Sequence, residues 1–501
     1  MSALLLLAAF ACSDYKIRPN TPEPTGGETD APGLDTEAPA DTAPPLDTAP
    51  LDTGTLLEDT SDGGFTTTPD TDDSEGDDTG DPPPGPDAKT RGASFWLGFT
   101  ENLDLLYNGP PEFSILVDTP ADASGVIELP ATGYTQSFAT TGGVTEEVML
   151  PAAIFYPEGS EAVADLGIRV TVDTEADVRA VHYRAYFTDA SQLLPEEELG
   201  RRYRVVAGLD ERGFNPSQFL VVATADGTTA TITPSTLTRG VRPEGVPFEV
   251  TLDAGQVYQV QAYGDLSGSL IEASAPVAVF AGALQAYING SAADSHIWDQ
   301  IYPEERMGQA WALAPFSGQG GDLFRVVADA DATALTLDGA ALVTLDEGEV
   351  YDLRLSLPAL LESSAPVAVA QFNDSQDANR PSNIGDPSML ALVPASLTTQ
   401  RAPIYSTGRR AALGFVYSTV HFATVTRLAS AAAPLLLDGA DVSEQCQPFP
   451  ANPAWVSCAL SLDAGSHELT SDDGFQARVY GFGDYDAYTF WGGYDCEGCA
   501  L

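Results

Sequence analysis

The sequence predicts an all-β protein: four tandem β-rich repeats of about 100 residues, following an acidic linker. Three observations carry this expectation. Apolar and β-branched residues alternate with period two through most of the chain beyond residue 92, the mark of half-buried strands. Asp-Gly and Asp-x-Gly turns punctuate that alternation, as in "FLVVATADGTTATITP" and "FEVTLDAGQVYQV", giving strand–turn–strand signals. The string Ser-Ala-Pro-Val-Ala-Val occurs twice, with its prolines at Pro276 and Pro366, and almost no segment carries a helical period.

Along the chain, "MSALLLLAAFAC" opens with an apolar run from Leu4 to Phe10. That run is too short to span a bilayer as a helix and reads as the core of a secretion signal. "AAFAC" resembles the lipobox of bacterial lipoproteins, which implies lipidation at Cys12. A plain secretion signal and a buried structural cysteine are the other readings. The match departs from the pattern in lacking a basic residue before the run and in carrying Ala9 where leucine is usual. Residues 1–18 are therefore expected to be signal and anchor. With Ser13 after the cysteine, the expected location is the outer membrane or cell surface.

From residue 19 to 91 Pro, Thr, Asp and Gly dominate, with imperfect repeats such as "DTEAP", "DTAPP" and "DTAP". Apolar residues are too sparse to offset chain entropy, so disorder is expected. The segment would reach roughly 50 Å on average as a flexible chain, which suits a stalk between an anchor and a folded head.

The folded part, 92–495, is expected to hold repeats near 92–199, 200–307, 308–398 and 399–495. The openings "GASFWLGF", "GRRYRVVA" and "GQAWALAP" each carry an aromatic residue three positions after glycine: Phe95, Tyr203 and Trp311. "LPEEELG" and "YPEERMG" lead into the second and third. Each unit has the length and strand density of a β-sandwich. A closed, propeller-like ring is the alternative, since the aromatic first and last strands would meet in one.

Charge narrows the function. Asp and Glu number 73 against 22 Lys and Arg, a net charge of −51. Such a chain is not built to neutralise phosphates, so nucleic acid is excluded as a partner. Only Lys16 and Lys89 are lysines. Of the late cysteines Cys446, Cys458, Cys496 and Cys499, an even set in an exported protein reads as two disulfides. Three pairings are open, and a four-cysteine zinc site is the alternative because Cys496 and Cys499 form a Cys-x-x-Cys.

No Gly-x-Ser-x-Gly, His-Glu-x-x-His or phosphate-loop motif occurs. The one dense polar cluster is "SAADSHIWDQIYPEER". Its Asp294, His296, Asp299 and Gln300 are a possible ligand or acid–base site on an inter-unit loop. The favoured reading is a structural loop. Asp386, in "GDPSML", occupies the matching place one unit later. No cofactor is expected. Calcium at the turn aspartates Asp226, Asp253 and Asp338 competes with ordinary turn chemistry.

The strings "GASFWLGFTEN", "LDAGQVYQVQAYGDLSGSLIEASAPVAVFAG", "HIWDQIYP", "SSAPVAVAQF" and "GDPSML", in this order, resemble the N-terminal domain of the IgGFc-binding protein family across Gly92 to Gly493. The family commonly has Cys-Asp-His where this chain has Asp294-Ser295-His296, so any disulfide that relatives make there is absent. The resemblance implies an extracellular recognition or adhesion module that is not an enzyme, with a protein or glycan partner. It does not imply antibody binding. A metal-dependent hydrolase at 294–300 and a passive envelope or matrix component are the alternatives.

Overall fold

The computed structural model describes residues 88–103, 110–151, 154–290, 293–379, 381–406 and 420–496, all within one compact unit, Thr79–Leu501. The stretch read as signal and anchor, with Cys12, the stretch read as linker up to residue 87, and Cys499 lie outside the described residues, as does the side chain of Cys496. The first described strand, Ala88–Lys89, falls at the end of the stretch read as linker. The architecture is all-β. Among the described residues the only helical elements are three 3-10 turns, Glu196–Glu198, Glu304–Arg306 and Ser443–Gln445. No helix among them is long and apolar enough to cross a membrane.

Among the described residues one pairing order recurs in four successive stretches of chain. In each, a long crossing strand passes through two sheets. In the first stretch it is Ile168–Tyr183. Its first half pairs with Arg91–Leu97 and Ala123–Leu129, and its second half pairs with Glu112–Asp118 and Asp189–Gln192. The equivalent strand is Ala359–Phe372 in the third stretch and Gly465–Gly483 in the fourth. In the second it is split into Leu270–Ala273 and Val277–Ala286. The two sheets pack face to face: Ile232 and Ile271 from one meet Phe219, Val260 and Val279 from the other in a single buried cluster. These are sandwich-like layers filled by the period-two apolar face.

The repeated Ser-Ala-Pro sits where the crossing strand changes sheets. In the second stretch Pro276 precedes a new strand at Val277. In the third, the strand runs through Pro366 without a break. Ser363 still pairs with Leu335, and Val367 already pairs with Ala328. Proline is tolerated there because the backbone at the crossing needs no ladder donor.

The stretches close on each other. Leu220 and Phe280 of the second pack into a cluster with Phe99 of the first. Phe372 and Met389 of the third join the core of the second. The Phe316 ring of the third lies 4.5 Å from that of Tyr480 of the fourth, tilted by 49°. Leu116 and Val181 of the first enter the core of the fourth. Buried arginines bridge three of these seams to neighbouring backbone: Arg179 to Pro403 O (2.7 Å), Arg325 to Ala207 O (2.9 Å) and Arg478 to Ala312 O. Closure is completed by antiparallel pairing of Ala88–Lys89 with Asp495–Cys496. The layers are thus sandwich-like and their arrangement is a ring.

Candidate functional site

Each crossing strand turns into an axial strand: Asp189–Gln192, Ser295–Gln300, Met389–Ala391 and Asp486–Trp491. The axial strands line the centre of the ring. Asp189 is their hub. Its carboxylate accepts N–H groups from Ala190 (2.9 Å), Trp298 (3.1 Å), Met389 (3.2 Å) and Thr489 (3.4 Å), one from each stretch. Asp299 accepts from Ser191 Oγ (2.6 Å), its neighbour Gln300 N (2.9 Å) and Ala391 N (2.7 Å). Burial pushes the Asp299 carboxyl up to about 8, against the pull of these hydrogen bonds. It raises Asp189 as well.

The described residues of the four connections leading into the axial strands, 184–188, 287–290 with 293–294, 373–379 with 381–388, and 484–485, gather at one end of the ring. They are tied across the seams. Thr188 donates to Asp486 (3.2 Å), Ser375 N to Ile288 O (2.9 Å), Asn289 Nδ2 to Asp374 (2.8 Å), and Gly385 N to Gly483 O (2.7 Å). Each connection holds one non-glycine residue at positive φ: Tyr186 (72°), Asn289 (53°), Asn383 (52°) and Tyr485 (56°). Asparagine tolerates this region; tyrosine rarely enters it, and such backbone persists only where surroundings enforce it.

The structure divides the four residues of the 294–300 cluster and brings Asp386, from the matching loop one unit later, to the same end as Asp294. Asp294 is at the connection end, ion-paired with Arg212, whose guanidinium lies 4.1 Å from the Tyr287 ring. Asp386 is at the same end and fully buried, accepting Gln376 N at 3.3 Å. Burial and the nearby Asp294, Asp486 and Asp377 charges hold its carboxyl well above the usual range. His296, Asp299 and Gln300 are not on a loop. Residues 295–300 form a strand against Val277–Ala286. The sequence reads as a loop because an axial strand buries polar side chains against neighbouring backbones, so "SHIWDQ" shows no apolar alternation.

His296 Nδ1 lies 3.3 Å from Leu284 O. Its ring is 4.6 Å from that of His182, which is itself surrounded by Phe99, Phe113, Tyr156 and Trp298. Burial drives His296 down to about 3 and lowers His182 strongly, so both are neutral imidazoles enclosed in aromatic packing. Gln300 Oε1 accepts Leu194 N at 2.8 Å. Among the described residues no group of three or more His, Cys, Asp or Glu side chains is placed to hold a metal ion. The turn aspartates accept backbone N–H groups: Asp226 from Ala254, Asp253 from Gly227, Asp338 from Leu360.

Cys446 and Cys458 form a disulfide across paired strands. Sequence reasoning missed Asp189, because "FTDASQ" carries no motif. Only its place on the axis gives it four partners.

Comparison with known proteins agrees with this architecture's sequence signature. Residues 189–481 match the family described as IgGFc binding protein. The human IgGFc-binding protein is 26% identical over 296 residues, which is 57% of this chain and 5% of that much longer relative. Among solved structures, an anti-sigma factor domain-containing protein from Clostridium clariflavum aligns at 10% identity with a TM-score of 0.11, over 72% of this chain and 94% of that one. A tetra-tandem repeat from the extending region of a large adhesion protein aligns at 14% identity with a TM-score of 0.10, over 82% and 100%. Scores this low carry no argument about the fold. With more than half its length matched, the chain belongs to the IgGFc-binding protein family.

Proposed function

We propose that this chain is a binding head displayed outside the cell, carried on the 19–91 linker and anchored to the outer membrane by a lipid on Cys12. Its partner is an extracellular protein, contacted by the loop-bearing end of the ring. The observation that carries this reading is the convergence of four connections onto one end, cross-tied into a rigid surface. Rigid scaffolds that gather loops at one end are suited to recognition, because little order is lost on binding. Family membership supports it, since the human relative is named for binding the Fc part of immunoglobulin G. Chemistry by the 294–300 segment is disfavoured: His296 is enclosed and Asp294 is neutralised by Arg212.

Protease shaving of intact cells tests display: release of head peptides is expected. Protection of the head on intact cells, with digestion after lysis, would sink the surface reading. Probing the full chain against arrays of extracellular proteins and of glycans tests the partner class. Binding confined to glycans would replace the protein partner.

A further inference from the structure

The segment Pro234–Pro247, "PSTLTRGVRPEGVP", joins two strands of the second stretch. It concentrates exposed apolar surface on this acidic chain. Leu237 is 56% exposed, Val241 74% and Val246 51%, and Tyr263 beside the loop is 54% exposed. It also carries Arg239 and Arg242 close to Val241, together with Glu244, and Arg242 is ion-paired with Glu161. Arg239 pairs with no carboxylate among the described residues. It contacts the Gln261 amide, and its guanidinium lies 5.5 Å from the Tyr263 ring.

The loop is held in a costly conformation. Val241 has φ 69°, and a β-branched side chain in the left-handed region is a true outlier. Glu161, at φ 63°, enforces it. Its carboxylate accepts Thr238 Oγ1, Gly240 N (3.1 Å) and Arg242 Nε (3.3 Å). A Cβ on Gly240 would stand 2.0 Å from Glu161 Oε2, so a larger residue there would displace the clamping carboxylate. Strain that turns a valine outward, with fixed backbone and an unpaired cation beside it, describes a pre-ordered contact point.

We infer that this loop docks an acidic segment of a partner protein, seating Val241 and Leu237 against apolar side chains while Arg239 meets a carboxylate. This rests on the reading that the head binds an extracellular protein, and adds a contact outside the four connections that lead into the axial strands. The Arg239 guanidinium, the arginine of this loop with no carboxylate partner among the described residues, selects a carboxylate on the occupant. The exposed branched aliphatics select a protein over an anionic polysaccharide, which offers no aliphatic side chains to bury.

The test is selection of short random peptides displayed on phage against the full chain and against Val241→Gly, Val241→Asp and Arg239→Glu baits. Enriched peptides are expected to pair acidic with apolar residues and to bind each variant at least about tenfold more weakly. Val241→Gly separates binding from folding. Glycine accepts the positive φ, so this variant should melt at a higher temperature while losing affinity. Peptides that bind all baits equally leave the head a binder and overturn the assignment of this loop. No enrichment on any bait, together with silent arrays, overturns both readings. Retention on dextran sulfate that is lost in Arg239→Glu and unchanged in Val241→Asp also overturns the inference, because it assigns an anionic glycan.

Discussion

At the scale of single residues, this protein spends its buried polar groups on joining stretches distant in sequence. Asp189 accepts four N–H groups drawn from all four of them. Its removal strands buried donors, each costing about 1–3 kcal/mol. Asp189→Ala is therefore expected to destabilise the ring by at least about 3 kcal/mol in urea unfolding, and Asp189→Asn by less, since one acceptor oxygen remains. Equal midpoints for wild type and Asp189→Ala would show that the hub is dispensable. The arginine bias of the chain finds a use at the same scale. Arg179, Arg325 and Arg478 reach carbonyl oxygens across seams, and the forked guanidinium suits such buried bonds better than lysine's ammonium.

At the scale of elements, the glycine that opens each of the first three units has a packing reason. A Cβ on Gly92 would stand 2.3 Å from Pro195 Cβ, on Gly200 2.4 Å from Pro303 Cβ, and on Gly308 2.5 Å from Pro394 Cβ. The strand opening one unit is overlaid by the proline of the turn leaving it. Gly200→Ala is expected to cost about 1–3 kcal/mol through overpacking, with a lower thermal midpoint as the readout. No change would mean the turn shifts freely. Glu198 and Arg306 lie in successive turns of this kind and form a buried pair at 2.7 Å. The Cys446–Cys458 bond closes a loop of sequence separation 12. Replacing both cysteines by serine is expected to cost about 3 kcal/mol, with faster hydrogen exchange centred on the strands at Cys446–Pro448 and Trp455–Leu462. Uniform exchange across the chain would contradict a local role.

For the whole molecule, the axis links stability to pH. Asp299 on the axis and Asp322, at the start of the strand Asp322–Ala328 off it, are both pushed up to about 8 by burial, and Asp189 on the axis and Asp386 on a connection are also raised. A carboxyl whose folded pKa exceeds its unfolded value near 3.8 binds more protons in the native state. Its contribution is then fully present below about pH 4 and is lost as pH rises through about 8. The thermal midpoint should therefore fall between pH 6 and pH 9. Self-repulsion of the −51 charge acts in the same direction, so the comparison with Asp299→Asn isolates the axial carboxyl. That variant is expected to show a shallower slope, and an unchanged slope would rule Asp299 out.

Much of this was legible in the sequence. The all-β class follows from period-two alternation and Asp-Gly turns, because both are local: they depend on neighbours within a few residues. Disulfide chemistry at Cys446 and Cys458 was legible from cysteine parity in a chain expected to be exported, although the pairing was not. The candidate site was legible only as a list. Asp294, His296, Asp299, Gln300 and Asp386 are near each other in unit position, yet the structure sends Asp294 and Asp386 to the loop-bearing end and the others into a buried strand. Closure into a ring, the hub at Asp189 and the strained exposure of Val241 were decided by the tertiary structure alone. Each depends on groups brought together from stretches distant in sequence or held by a clamp from another stretch, such as Glu161, and local periodicity carries no record of such partners.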